Sequence, residues 1–265
     1  MSQVHSPSRW AAAAIAELEK MRITMQTDPG EEIIHQFRVL YKKTRALYRM
    51  AGMMSTGKAF RLKKAWKQVY QGAGTVRDTQ LLHKLVITQM GEGPLAVLLR
   101  SQLATHQDSF NAILQQSDPG KEHFDQWKKA DDYDGYFRTI SAELRTYYRQ
   151  PLYDEELHVI RKLLKDILYN QAWVTKMGQS QTVFISQLPI TEIDSLQKLL
   201  GDYQDNVVQS AIVRRLAVLP AVRQEAARLE AWISGSFRNQ VDLRSQAESA
   251  LENFFHLHAP RALDQ

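Results

Sequence analysis

One compound pattern occurs twice in this chain. HQFRVLYKK at 35–43 is followed by GTVRDTQLL at 74–82, and HVIRKLLKD at 158–166 is followed by GDYQDNVVQ at 201–209. Each copy reads His-x-x-Arg-x-x-x-Lys, then Gly-x-x-(Arg or Gln)-Asp at 39 or 43 residues after the histidine. The period is far longer than that of solenoid repeats. The simplest chain that satisfies it is two copies of a helical bundle, related by a pseudo-twofold axis.

The rest of the sequence agrees with helices. Helical periodicity runs nearly throughout, and no segment alternates as a strand does. The pattern predicts helices near 7–26, 30–52, 57–71, 76–90 and 94–116. After a polar connector containing SDPGKE it predicts helices near 135–149, 153–177, 190–200, 203–218 and 221–256. Asp28 with Pro29 reads as the start of the second helix, and Pro151 with Asp154 as the start of the helix at 153. The 265 residues, 44% of them apolar, suffice for a real core. The expected organisation is all-α: one domain over 1–265 made of two repeats, about 1–117 and about 134–265.

Charge is distributed as unevenly as the motifs. The net charge is only +5, yet from His35 to Arg77 eleven Lys and Arg residues occur without one Asp or Glu. Residues 117–134 hold six acids (Asp118, Glu122, Asp125, Asp131, Asp132 and Asp134), so the connector is acidic. Cysteine is absent, which excludes disulfides and thiolate metal sites and makes a reducing cytoplasm the expected compartment. No apolar run approaches a membrane span. Trp10 to Ala16 is followed by Glu17 and Glu19, and does not read as a secretory signal.

The basic residues follow a helical seam. His35, Arg38, Lys42, Arg45 and Arg49 fall at intervals of 3, 4, 3 and 4, the spacing at which a packed helix places its apolar residues. They occupy an arc of roughly 80° at 100° per residue. Phe37, Leu40, Tyr41, Leu47, Tyr48 and Ala51 lie on the opposite face, and Val39, Ala46 and Met50 form a second apolar strip. A charge run is most often a solvated helix face. This one has a single sign, lacks i,i+4 acid partners, and recurs. In the second copy His158, Arg161 and Lys165 repeat it, and Leu168 and Ala172 then take the places of Arg45 and Arg49. If the two stripes face each other they line a cationic groove. Dry packing of such cations costs several kcal/mol per ion, so the groove must be wet or filled by a polyanion. Arg61 and Lys64, three apart on the next helix, would add to that wall, with Lys63 and Lys67 facing solvent.

Competing chemistry is weaker. Asp78 and Asp205, near expected helix starts, read as caps and tethers for basic side chains. Glu32-x-x-His35 and Glu155-x-x-His158 are half the ligand set of a ferritin-like di-iron site. The expected helices at 57–71 and 203–218 contain no glutamate to complete it, and Arg38 and Arg161 sit one turn away. The glutamates instead complement the helix dipole. No metal or other cofactor is expected. Phosphate-binding loops, dinucleotide fingerprints and nucleophile elbows are absent.

The stretches HQFRVLYKKTRALYR, GTVRD, LHVIRKLLKDILY and SLQKLLGDYQD, in this order, resemble the CHAD family, the conserved histidine α-helical domain, over essentially the whole chain. The resemblance implies two four-helix bundles around a central basic groove that binds inorganic polyphosphate. With no β-tunnel domain in the sequence, it implies a stand-alone binding module without hydrolase activity, associated with polyphosphate granules. His35, Arg38, Lys42, Arg45, His158, Arg161 and Lys165 match the family's basic motifs; Arg49, Arg61 and Lys64 are added from helical geometry. Asp166 and Leu168 depart from the family's basic pattern, so either the second half grips less strongly or Lys162, Arg145 and Arg149 compensate. Two other readings stay open: a nucleic-acid-binding protein, disfavoured because the nearby aromatics lie on the core face, and an enzyme acting on phosphoanhydrides. Membrane partners are not expected.

Overall fold

A computed structural model describes residues 7–120, 122, 124, 127, 132–148, 152–177 and 183–258, and every regular element among them is helical. The order is α1 (Pro7–Thr27), α2 (Glu31–Thr56), α3 (Lys64–Met90), α4 (Pro94–Gln116), α5 (Tyr133–Arg145), α6 (Asp154–Lys176), a short α7 (Val183–Ser186), α8 (Ile190–Ala217), a 3-10 helix (Pro220–Glu225) and α9 (Ala226–His258). The chain divides into two compact units, Met1–Asp131 and Asp132–Gln265. Among the described residues no helix is long and apolar enough to cross a membrane.

In the first unit the helices pack in a cycle: α1 on α2, α2 on α3, α3 on α4, and α4 back on α1. The core they share includes Leu18 and Met25 of α1, Ile34, Phe37 and Tyr41 of α2, Trp66, Val69, Ala73 and Val76 of α3, and Phe110 and Leu114 of α4. Burying each large side chain contributes about 1.5–3 kcal/mol. In the second unit α6 packs on α5 and α8, and α8 packs on α9.

Two pairs of expected helices are single helices. The segments at 57–71 and 76–90 belong to one α3, and those at 190–200 and 203–218 to one α8. Glycines at 72, 74 and 201 read as punctuation, because a mid-helix glycine costs about 1 kcal/mol relative to alanine. Here they allow close approach. A Cβ on Gly72 would lie 2.8 Å from the Phe110 ring and 3.0 Å from Ile113 of α4. Asp78 and Asp205 consequently lie inside helices and cap nothing, contrary to expectation.

Three starts also differ. Gly30 precedes α2 and no side chain caps it, so Asp28 is not the cap. Tyr153 precedes α6, where the Glu156 carboxylate accepts the Tyr153 N–H at 2.9 Å; Asp154 is the first residue of the helix, and Pro151 lies outside the described residues. The helix expected at 57 begins at Lys64. The chain leaves α2 through Gly57 in the left-handed region (φ 69°). It then crosses so close to Gly52 that a Cβ there would overlap the backbone of 58–60. Residues 57–63 make that crossing, so Arg61 lies ahead of α3 and not on it.

Candidate functional site

The basic stripe runs along the edge of the core. On α2 the residues at 34, 37, 41, 44, 48 and 51 are buried, and His35, Arg38, Lys42, Arg45 and Arg49 each follow one of them by a single residue. That offset is about 100° around the helix. From Arg45 onward the far flank is buried as well, by Ala46 and Met50. Arg38, Lys42, Arg45 and Arg49 are accordingly half-buried, and His35, at the open end, is exposed. On α6 the buried residues Leu157, Ile160, Leu164 and Ile167 set up the same offset. His158 is exposed there, and Arg161 and Lys165 are half-buried.

The first arginine of each stripe is seated on a glycine. Arg38 crosses from α2 to α3, where any Cβ on Gly74 would overlap its Nη1. Its guanidinium lies over the Tyr70 ring at 5.0 Å, a cation–π contact, and Tyr70 is backed by the Tyr41 ring at 4.3 Å. Asp78 Oδ1 is 3.6 Å from Nη2. Tyr70, Gly74 and Asp78 are spaced i−4, i, i+4 on one face of α3. In the second unit Arg161 lies over Gly201 of α8, where a Cβ would stand 2.9 Å from Nη2.

Gln204 holds that second seat. Its Oε1 accepts from Arg161 Nη1 and from His158 Nδ1, each at 3.0 Å. The neutral His158 ring is therefore the Nδ1–H tautomer. Arg77, at the position matching Gln204, does different work. With Lys84 it pairs with Glu31, four residues before His35. In the second unit Asp154, four residues before His158, is paired with Arg244 of α9 and accepts from the Tyr203 hydroxyl at 2.8 Å.

Electrostatics reflect this geometry. Burial, and next the Arg161 charge, push the Lys165 amine below its ordinary pKa, while Asp205 acts against them. Burial pushes the Tyr41 hydroxyl up, and the Arg45 and Arg49 charges oppose that shift. Arg45 and Arg161 each keep a buried Nε–H with no acceptor among the described residues.

Hydrogen bonds from Lys84 and Arg77 hold the Glu31 carboxyl below its ordinary value of 4.5. A lowered carboxylate pKa contributes stability that is complete above the ordinary value and is lost as pH falls through the folded one. Glu31→Gln should therefore melt at lower temperature than wild type at pH 7. The gap should close as the medium is acidified below about pH 4, read by thermal melts across pH.

Arg61 and Lys64 are both exposed, Arg61 ahead of α3 and Lys64 at its first position. They are not neighbours on one helix as the spacing implied. Lys63 and Lys67 are also exposed, so exposure does not separate the two pairs. Lys162 is exposed, Arg145 is half-buried in the last turn of α5, and Arg149 lies outside the described residues. Phe37, Tyr41 and Tyr48 are buried as expected. Tyr70 was missed by sequence reasoning; its signal was the four-residue spacing to Gly74 on an unbroken helix. Among the described residues no three His, Cys, Asp or Glu side chains are grouped to hold a metal ion.

No curated protein and no solved structure matches this chain. The family model described as the CHAD domain matches residues 10–214. That span contains both glycine-seated arginines, and with them the chain belongs to the CHAD family.

Proposed function

We propose that this protein binds inorganic polyphosphate along its two cationic stripes and leaves the polymer intact. The observation that carries the reading is how the stripe cations are held. Arg38 and Arg161 are fixed by a glycine seat, an aromatic face or an amide oxygen, and close acid pairing does not neutralise them. A fixed, incompletely neutralised fork at the head of each cationic stripe suits a flexible polyanion with regular charges. Arginine offers bidentate contacts to phosphoryl oxygens, and lysine adds a mobile charge. Each charge-assisted hydrogen bond contributes about 1.5–3 kcal/mol, so a handful offsets the chain's lost freedom.

The same reading has each stripe engage polyphosphate, with the first, richer in cations, gripping harder. It places the protein in the cytoplasm with polyphosphate and its granules, which a cysteine-free chain suits.

Isothermal titration with polyphosphates of increasing length is the test. Affinity should rise with length and fall with salt. The log–log slope should be about −0.7 per phosphate engaged, as for a single-stranded polyanion. Failure to bind at low salt, or equal affinity for a charge-matched DNA oligonucleotide, contradicts the proposal. Release of orthophosphate in the presence of magnesium or manganese would make the chain an enzyme instead.

A further inference from the structure

We propose that Asp78 and Asp205 are built-in counter-ions that keep small anions off the stripes and make binding depend on the length of the anion. The inference rests on the anion-binding reading above and adds a selectivity device to it. Asp78 sits inside α3 with 63% of its side chain exposed, so it neither caps a helix nor fills the core. Its ion pair with Arg38, at 3.6 Å, is longer than a hydrogen bond. Asp205 lies inside α8, exposed, with no hydrogen bond or ion pair among the described residues. Its charge is nevertheless felt at Lys165.

Aspartate is a poor residue for a helix interior, and both side chains are exposed, so neither fills the core. Yet both units place a carboxylate one turn beyond the glycine seat, on the helix that faces the stripe. In an anion receptor such a group lowers affinity. Its use is discrimination.

An orthophosphate ion that meets Arg38 must compete with Asp78 and then lie beside its charge, so repulsion offsets part of what one fork provides. A long polyphosphate meets Arg38 together with Lys42, Arg45 and Arg49. Repulsion from one carboxylate is then a small part of the sum. Water and salt attenuate exposed charges, so each aspartate should act by a few-fold.

The test compares wild type with Asp78→Asn, Asp205→Asn and the double variant, titrated with orthophosphate, tripolyphosphate and long-chain polyphosphate at fixed salt. Asp108→Asn, an exposed acid of α4, is the control for net charge. Circular dichroism checks that helicity is kept. The double variant should bind tripolyphosphate about 3–10-fold more tightly, gain about twofold or less for long chains, and so lose length selectivity. The control should change neither. An equal gain at every length, or a loss of affinity at any length, overturns the inference. If wild type fails to bind long chains, the polyphosphate reading falls by itself. Tighter tripolyphosphate binding by the double variant would still uphold the counter-ion role, and no gain for any anion would overturn it.

Discussion

Arg38→Glu combined with Arg161→Glu should abolish polyphosphate binding, with a loss of about 100-fold or more in affinity. On the proposed reading each substitution removes charge-assisted hydrogen bonds of about 1.5–3 kcal/mol and puts a carboxylate in their place. Arg38→Glu should cost more than Arg161→Glu. The first stripe continues into Arg45 and Arg49, which then work beside a repelling charge, whereas the second continues into Leu168 and Ala172. The glutamate at 38 would also meet Asp78, so folding must be verified by far-ultraviolet circular dichroism and a melt. Arg38→Gln with Arg161→Gln gives the milder comparison if the double glutamate is unstable. Retention of wild-type affinity by a folded double variant would mean that the anion binds elsewhere.

Gly74→Ala should separate binding from stability. The new methyl would overlap Arg38 Nη1, and a flexible guanidinium can swing away at little cost to the fold. Alanine is better than glycine inside a helix by about 0.5–1 kcal/mol, so the melting temperature should hold or rise by about 2–5 °C. Affinity should fall by about tenfold or more, because the displaced arginine no longer rests on Tyr70 in its fixed seat. Gly72→Ala is the natural contrast, two residues away on the same helix. Its methyl would press on Phe110 and Ile113, so it should lower stability and spare binding. Gly201→Ala should resemble Gly74→Ala with a smaller loss, since its methyl would stand 2.9 Å from Arg161 Nη2. Unchanged binding by Gly74→Ala would remove the seat from the mechanism.

Much of this was legible in the sequence, for reasons that also explain what was not. The stripe could be read because helical spacing fixes which residues share a face, and Phe37, Tyr41, Leu47 and Tyr48 are buried where that spacing put them. The helix at 94–116 was recovered because Pro94 opens it in an ordinary way. Gly74 and Gly201 misled, because a glycine carries no mark of what lies above it. A turn and a guanidinium seat look identical until the partner helix is in place. The true lengths of α3 and α8, and the roles of Tyr70, Asp78 and Asp205, were hidden with them. Arg77 sits inside a repeated motif but serves Glu31. Only the tertiary fold shows that this cation holds a helix start.

That last contrast has a consequence for the order in which the chain is made. The cations that answer Glu31 lie at most 53 residues downstream of it, on the next helix. The cation that answers Asp154 lies 90 residues downstream, on α9. Domains generally fold as units during synthesis, the N-terminal one first, at about 5–20 residues per second. A nascent chain can therefore complete the charge lock of its first stripe while most of the second unit is untranslated. The second stripe gains its counterpart only after Arg244 has left the ribosome. During that interval the first unit holds its completed ion pairs while Asp154 still waits for Arg244.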